Sequence, residues 1–293
     1  MLPDDLDLPR LRALAASVRL GSFDAAAQAL HVTPSALSQR IKALESAVGR
    51  VLLVRSRPVV ATEAGAGLLR LARQIELLTE DAVRALDGER AGGADPVAVP
   101  LAVNADSLAT WVLPALATVP DVVVELHRED QEHTTAFLRD GTVLAAVTSE
   151  AEAVLGCTVA PLGLMRYRAM AAPAFVDRWF PSGDLSALGR APLVVFDEKD
   201  RLQDRFLRAA GVEVRPPRHR VPGSADFERA VRLGLGWGML PEPQVPVGSE
   251  GLVELGGDVV DVPLYWQQWA LRTPSLEAVA AAIAEGARAS LRH

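Results

Sequence analysis

Ser35, Ser38, Gln39 and Lys42 share one side of a segment whose other side carries Leu37, Ile41 and Leu44. Hydroxyl, amide and ammonium groups in that arrangement can hydrogen-bond base edges and phosphates of DNA. The apolar residues recur at spacings of four and three, the period of a helix with one face turned inward. Thr33 stands where a helix is capped, and Pro34 suits the first helical position, where no N–H is required. Ahead of them Phe23–Leu30 forms a shorter helix, joined by a tight polar turn. Its Ala25-Ala26-Ala27 run allows the next helix to approach closely. This is a helix-turn-helix whose second helix addresses the major groove. Thr33, Pro34, Ser35, Ser38, Gln39, Arg40 and Lys42 are the candidate DNA contacts. Beyond Gly49, 51–54 and 58–61 look like two short strands around Arg55-Ser56-Arg57. That is a wing, whose Arg55 and Arg57 can reach phosphates or a minor groove.

Charge follows the same division. The whole chain carries −7, yet between Pro9 and Ile75 ten Lys/Arg face only Asp24, Glu45 and Glu63, a local +7. From Glu76 onward the balance is −11. A basic head on an acidic body fits a phosphate-binding module joined to one that avoids phosphates. With 293 residues, 49% of them hydrophobic, the chain can bury two or three ordinary cores. The single cysteine, Cys157, forms no intrachain disulfide and supplies no structural zinc site alone. The N-terminus lacks a signal-like apolar run and no apolar stretch spans a bilayer, so a soluble cytoplasmic protein without membrane partners is expected. Enzyme chemistry finds no support. Gly234–Gly238 lacks dinucleotide-loop spacing, His127 and His133 stand beside no nucleophile motif, and the five histidines lack metal-ligand spacing. No catalytic residue, metal or cofactor is expected.

Positioning these groups requires more helices. Leu8, Leu11, Leu14 and Val18 mark a first helix that Gly21 ends. From Thr62 a long helix carries Leu68, Leu71, Ala72, Ile75, Leu78, Ala82 and Leu86 as a stripe. A stripe this long needs a partner, most simply the same helix of a second chain, making Leu68, Leu71, Ala72, Ile75, Leu78 and Leu86 the candidate dimer contacts. The segment 87–96, DGERAGGADP, has no apolar period and forms a hinge.

Residues 8–86 resemble the winged helix-turn-helix and linker helix of LysR-type transcriptional regulators. Gly21-Ser22-Phe23, Ala26-Ala27, His31-Val32-Thr33, Ser38, Ile41, Leu44-Glu45, Gly49, Arg55, Thr62 and Ala64-Gly65 carry that resemblance, which extends over essentially the whole chain. It implies a double-stranded DNA operator as partner and a homodimer assembling to a tetramer, with RNA polymerase as a further partner such a regulator could meet.

The body alternates strands (97–103, 122–126, 143–147, 167–172, 193–196, 218–221) with helices (108–116, 134–138, 202–210, 225–233). That alternation argues for an α/β body of parallel sheets wrapped by helices, with a ligand cleft beyond the strand ends. The family resemblance implies a two-lobed, periplasmic-binding-protein-like effector domain. Expected domains are a winged helix-turn-helix over 1–65, linker helix and hinge over 66–95, and the effector domain over 96–293. Its first lobe would take 96–163 and 268–293, its second 164–267. Segments 104–111, 197–206 and 262–269, with LLVR at 52–55, resemble the lysine- and arginine-responsive (ArgP/LysG-like) branch, which controls basic-amino-acid export or metabolism.

The residues allow such an effector. Asn104-Ala105-Asp106-Ser107 stands where a strand gives way to a helix, and amides there could receive an α-carboxylate. Glu129 and Asp130 follow the second strand and Thr148 the third, while the second lobe offers Phe196, Asp197 and Ser224. Carboxylates from both lobes facing one cleft suit a cationic ligand, expected between the lobes. Two alternatives stay open: the same architecture with another effector, such as an aromatic or organic acid, and a replication-origin or architectural DNA binder.

Overall fold

The computed structural model describes residues 7–87, 96–129, 134–183, 185–213, 215–246 and 248–293. The head comprises α1 (Leu8–Arg19), α2 (Phe23–Ala29), α3 (Pro34–Val48), β1 (Leu53–Val54) and β2 (Val60–Ala61), followed by the linker helix α4 (Glu63–Asp87). Each helix starts on a side chain that satisfies an otherwise orphaned N–H. The Asp7 carboxylate accepts from Arg10 N at 2.8 Å, Thr33 Oγ1 from Ala36 N at 3.2 Å, and Thr62 Oγ1 from Gly65 N at 3.0 Å. Leu11, Leu14, Leu37, Ile41, Leu44, Leu52 and Leu69 close one core with no more than 2% exposure each. Truncating Leu37 to alanine there costs about 2–5 kcal/mol.

The body continues with β3 (Val97–Asn104), α5 (Ala105–Ser107), a π-helical turn (Leu108–Val112), α6 (Leu113–Leu116), β4 (Val122–Glu129), α7 (Thr134–Asp140) and β5 (Ala145–Thr148). Then come β6 (Cys157–Ala171), α8 (Pro173–Trp179), a 3-10 turn (Ser186–Gly189), β7 (Leu193–Val195), α9 (Leu202–Ala209) and β8 (Arg218–Arg220). The last elements are α10 (Ser224–Arg232), β9 (Gly238–Pro241), β10 (Val253–Glu254), β11 (Val260–Trp269) and α11 (Pro274–Ser290).

Two compact units emerge. The first holds Met1–Val103, Val119–Val159 and Trp266–Ala280; the second holds Asn104–Thr118, Ala160–Tyr265 and Ala281–His293. The linker helix therefore packs with the first part of the body, touching α1 and α7. Residues 104–118 and 281–293, which the expected lobes place with the first half, cluster with the second. Their hydrogen bonds are the reason: Asp106 accepts from Tyr167 and Ser224, and Arg292 pairs with Leu164.

Sheet polarity departs from the all-parallel expectation. In the first unit β3 and β5 are parallel, Leu101 opposite Ala145. In the second, β7 and β8 are parallel, but β6 runs antiparallel to both β9 and β10. The sequence pattern hid this because β9 follows directly on the glycine-rich turn 234–236, and β6 begins well before the apolar run at 167. Among the described residues no helix is long and apolar enough to cross a membrane, and no group of three or more His, Cys, Asp or Glu could hold a metal ion.

Candidate functional site

The head presents one polar helix face. Thr33, Pro34, Ser35, Gln39 and Lys42 are exposed, while Ser38 and Arg40 are partly buried. Thr33 is occupied locally: besides capping α3, its Oγ1 lies 3.0 Å from Ser35 Oγ. Arg55 and Arg57 are exposed between β1 and β2. The Arg55 guanidinium lies 5.2 Å from the centre of the Phe23 ring, a cation–π contact of about 0.5–1 kcal/mol that steadies it. Glu45 on α3 accepts from Leu52 N at 2.9 Å and Leu53 N at 3.5 Å, fixing β1 against the helix. Sequence reasoning noticed Glu45 only as a family mark and missed this tie, because the carboxylate bridges seven and eight residues rather than one helical turn.

Along α4 the apolar stripe has two fates. Ala72 is 1% exposed within the chain's own head core, and Leu68, Leu71 and Ile75 pack against that core. Ala72 is therefore not available to a partner chain, a correction to the expectation that the stripe as a whole faces one. Helix α1 occupies that flank instead. Leu78 and Leu86 remain exposed at 45% and 83%.

In the second unit a polar cluster forms where β3 ends and α5 begins. Asn104 Oδ1 caps the turn, accepting from Ser107 N at 2.8 Å. Ala105 opens α5, and Asp106 stands between the cap and Ser107. Both oxygens of Asp106 are held by hydroxyls: Tyr167 OH donates at 2.8 Å and Ser224 Oγ at 2.6 Å. Gln244 Nε2 donates in turn to the Ser224 carbonyl at 3.0 Å. Burial pushes the Asp106 carboxyl above the ordinary aspartate range, and the Ser224 and Tyr167 donors offset part of that rise. Among the described residues no Lys, Arg or His pairs with it. Asn104 Nδ2 and Ser107 Oγ, on residues 2% and 0% exposed, are buried without hydrogen-bond partners. A buried acceptor charge beside two unused donors is costly unless a ligand completes it.

Asp200 belongs to the same unit. It accepts from Phe196 N at 2.9 Å and Leu202 N at 3.0 Å. Burial raises its carboxyl first of all, and the charge of Asp106 adds to that rise.

The other expected contacts are placed differently. Asp197 Oδ1 accepts from Lys199 N at 2.7 Å and Asp200 N at 3.0 Å, so that oxygen closes a local turn. Phe196 packs partly buried against the core of its unit. Thr148 is fully buried in the first unit, where its Oγ1 accepts from Glu150 N at 3.2 Å. Asp130 and the side chain of Glu129 lie outside the described residues. Sequence reasoning missed Tyr167, Asp200 and Gln244. The available signal was a lone tyrosine in an apolar strand and an aspartate two residues before α9.

Residues 8–66 match "Bacterial regulatory helix-turn-helix protein, lysR family", and residues 97–288 match "LysR substrate binding domain". The chain belongs to the lysR family. Among similar LysR-type proteins, the lysine export transcriptional regulatory protein LysG of Corynebacterium efficiens is 46% identical over 279 residues, covering 93% of this chain and 94% of its own. The crystal structure of ArgP from Mycobacterium tuberculosis superposes with a TM-score of 0.86 at 44% identity, covering 98% of this chain and 99% of that one. Full-length LysG from Corynebacterium glutamicum with bound effector Arg gives a TM-score of 0.77 at 38% identity, covering 98% and 100%. As a LysR-type protein this chain is a DNA-binding transcriptional regulator, not an enzyme.

Proposed function

We propose that this regulator answers to a basic amino acid, lysine or arginine, held in the second unit at Asp106. The observation that carries the proposal is the Asp106 carboxylate, held on both oxygens by hydroxyls and paired with no cation among the described residues. A basic amino acid brings two cationic groups and one carboxylate. Asp106 and Asp200 supply two carboxylates in one unit, and Asn104 Nδ2 and Ser107 Oγ supply donors without partners. The similarity to regulators named for lysine export and to one with bound Arg supports the same ligand class. On the DNA side, Ser35, Gln39 and Lys42 read the groove while Arg55 and Arg57 hold the backbone beside it. Two chains join through Leu78 and Leu86, placing two recognition helices on the half-sites of a dyad operator.

Calorimetry with lysine, arginine, norleucine, cadaverine and glutamate tests the effector. Lysine or arginine should bind tightest. Norleucine lacks the side-chain cation and cadaverine the carboxylate, so both should bind at least tenfold more weakly, about 1.4 kcal/mol. Asp106→Asn should cost about 3–5 kcal/mol, because the ligand cation is then desolvated without a counter-charge. Equal or tighter binding of norleucine or glutamate defeats the proposal.

A further inference from the structure

A buried carboxylate on the linker helix is tied to the last helix of the chain. Asp81 on α4, 8% exposed, reaches the first turn of α11, 194 residues further along. Its Oδ1 accepts from Ser275 Oγ at 2.5 Å and its Oδ2 from Ser275 N at 3.4 Å. Ser275 is 7% exposed, and Thr273 beside it caps the same turn by accepting from Leu276 N at 3.3 Å. A carboxylate at this position meets the positive end of a helix of 17 residues, which strengthens the contact.

The remainder of that contact is less comfortable. Gly141, at the end of α7, sits so close to α4 that a Cβ on it would fall 2.8 Å from Arg70 N. Arg73 is 8% exposed, with its Nε unpartnered among the described residues. A buried N–H left unpaired costs free energy, whereas Asp81 and Ser275 satisfy each other across α4 and α11.

The other end of α11 lies against a different element. Gly286 has no side chain because Ala115 Cβ and Trp111 Cε3 would stand 2.7 and 3.4 Å from its Cβ. Trp111 and Ala115 belong to the helical run that opens with Ala105, Asp106 and Ser107.

We propose that α11 couples effector binding to the DNA-binding head, with Asp81 and Ser275 as the clamp at the linker-helix end and Gly286 as the bearing at the effector end. This rests on the assignment of the effector to Asp106. Ligand at the start of the run 105–116 shifts Trp111 and Ala115 by small amounts. A packed helix passes such shifts along its length rather than absorbing them. Asp81 then holds or releases α4, and with it the recognition helices.

The test is the coupling factor, the ratio of affinities for a selected operator duplex with and without saturating lysine or arginine. In the full chain, Asp81→Ala and Ser275→Ala should bring that ratio from the usual range of about 5–150 to near one. Effector affinity of the DNA-free protein should stay within about twofold of wild type, and Ser275→Thr, which keeps the hydroxyl, should restore the coupling. Amide exchange at Ser275 should also quicken in Asp81→Ala without any effector present. An unchanged coupling factor in Ser275→Ala, with effector still bound, overturns the proposal. Asp106→Asn separates the two assignments: it should abolish effector binding and leave exchange at Ser275 as in wild type. If neither amino acid binds wild type, the effector assignment fails. The clamp is then judged on Ser275 exchange, and no change in Asp81→Ala overturns it.

Discussion

Asp106 shows how a few ångströms set a buried, hydroxyl-held carboxylate apart from a helix cap. Asn104 does the capping, which leaves the Asp106 carboxylate to Tyr167 and Ser224. Burial raises its pKa, so in the free protein this group contributes stability most fully below the ordinary aspartate range. That contribution is lost as pH rises through the raised value. A bound cation favours the ionised form. Effector affinity should therefore climb with pH through that window and level off above it, with proton release at the lower end; calorimetry over a pH series rising from the ordinary aspartate range, in buffers of different ionisation heat, reads both. Affinity that falls as pH rises there would remove Asp106 from the ligand's cation. Gln39 offers a second test at this scale. Gln39→Ala should cost about 1–3 kcal/mol on the specific duplex and far less on random sequence, if the amide reads a base edge. Equal losses on the two duplexes would count against base reading.

Among the elements, the linker helix departs most from what its pattern promised. Periodicity identified the apolar stripe but not which part of it the head would claim; α1 took the flank of Leu68, Leu71 and Ala72. Leu78→Lys with Leu86→Lys should thus give monomers in sedimentation without lowering the thermal midpoint of the isolated fold. Ile75→Lys should destabilise the head itself. An unchanged oligomer in the double variant means the second chain docks elsewhere. Helices α1 to α3 were legible because caps and three- and four-residue spacing are local signals. So were Asn104, Asp106, Ser107 and Ser224 as a group, since strand ends and helix starts concentrate ligand-binding polar residues. Tyr167 was not. It reaches Asp106 across 61 residues, through a strand whose antiparallel partner β9 reads in sequence as a glycine-rich turn.

The whole molecule joins a basic head to an acidic body, and the two respond to different solution conditions. Operator affinity should fall steeply with salt because the head's arginines displace counterions, whereas effector affinity in a buried site should hardly change over the same range. Titrating both in one salt series checks this, and parallel slopes would contradict the division of labour. Saturating effector should also stabilise the fold by mass action, by about 2.7 kcal/mol at a hundredfold excess over Kd, read as a raised melting temperature. Finally, Glu45 ties the recognition helix to the strand leading into the wing. For anyone re-targeting this regulator, α3 and the wing are a single cassette. Grafting a relative's base-reading residues onto α3 preserves the stride between groove and flank only if residue 45 stays acidic. A graft that loses it should bind its new sequence with the flanking phosphate footprint blurred.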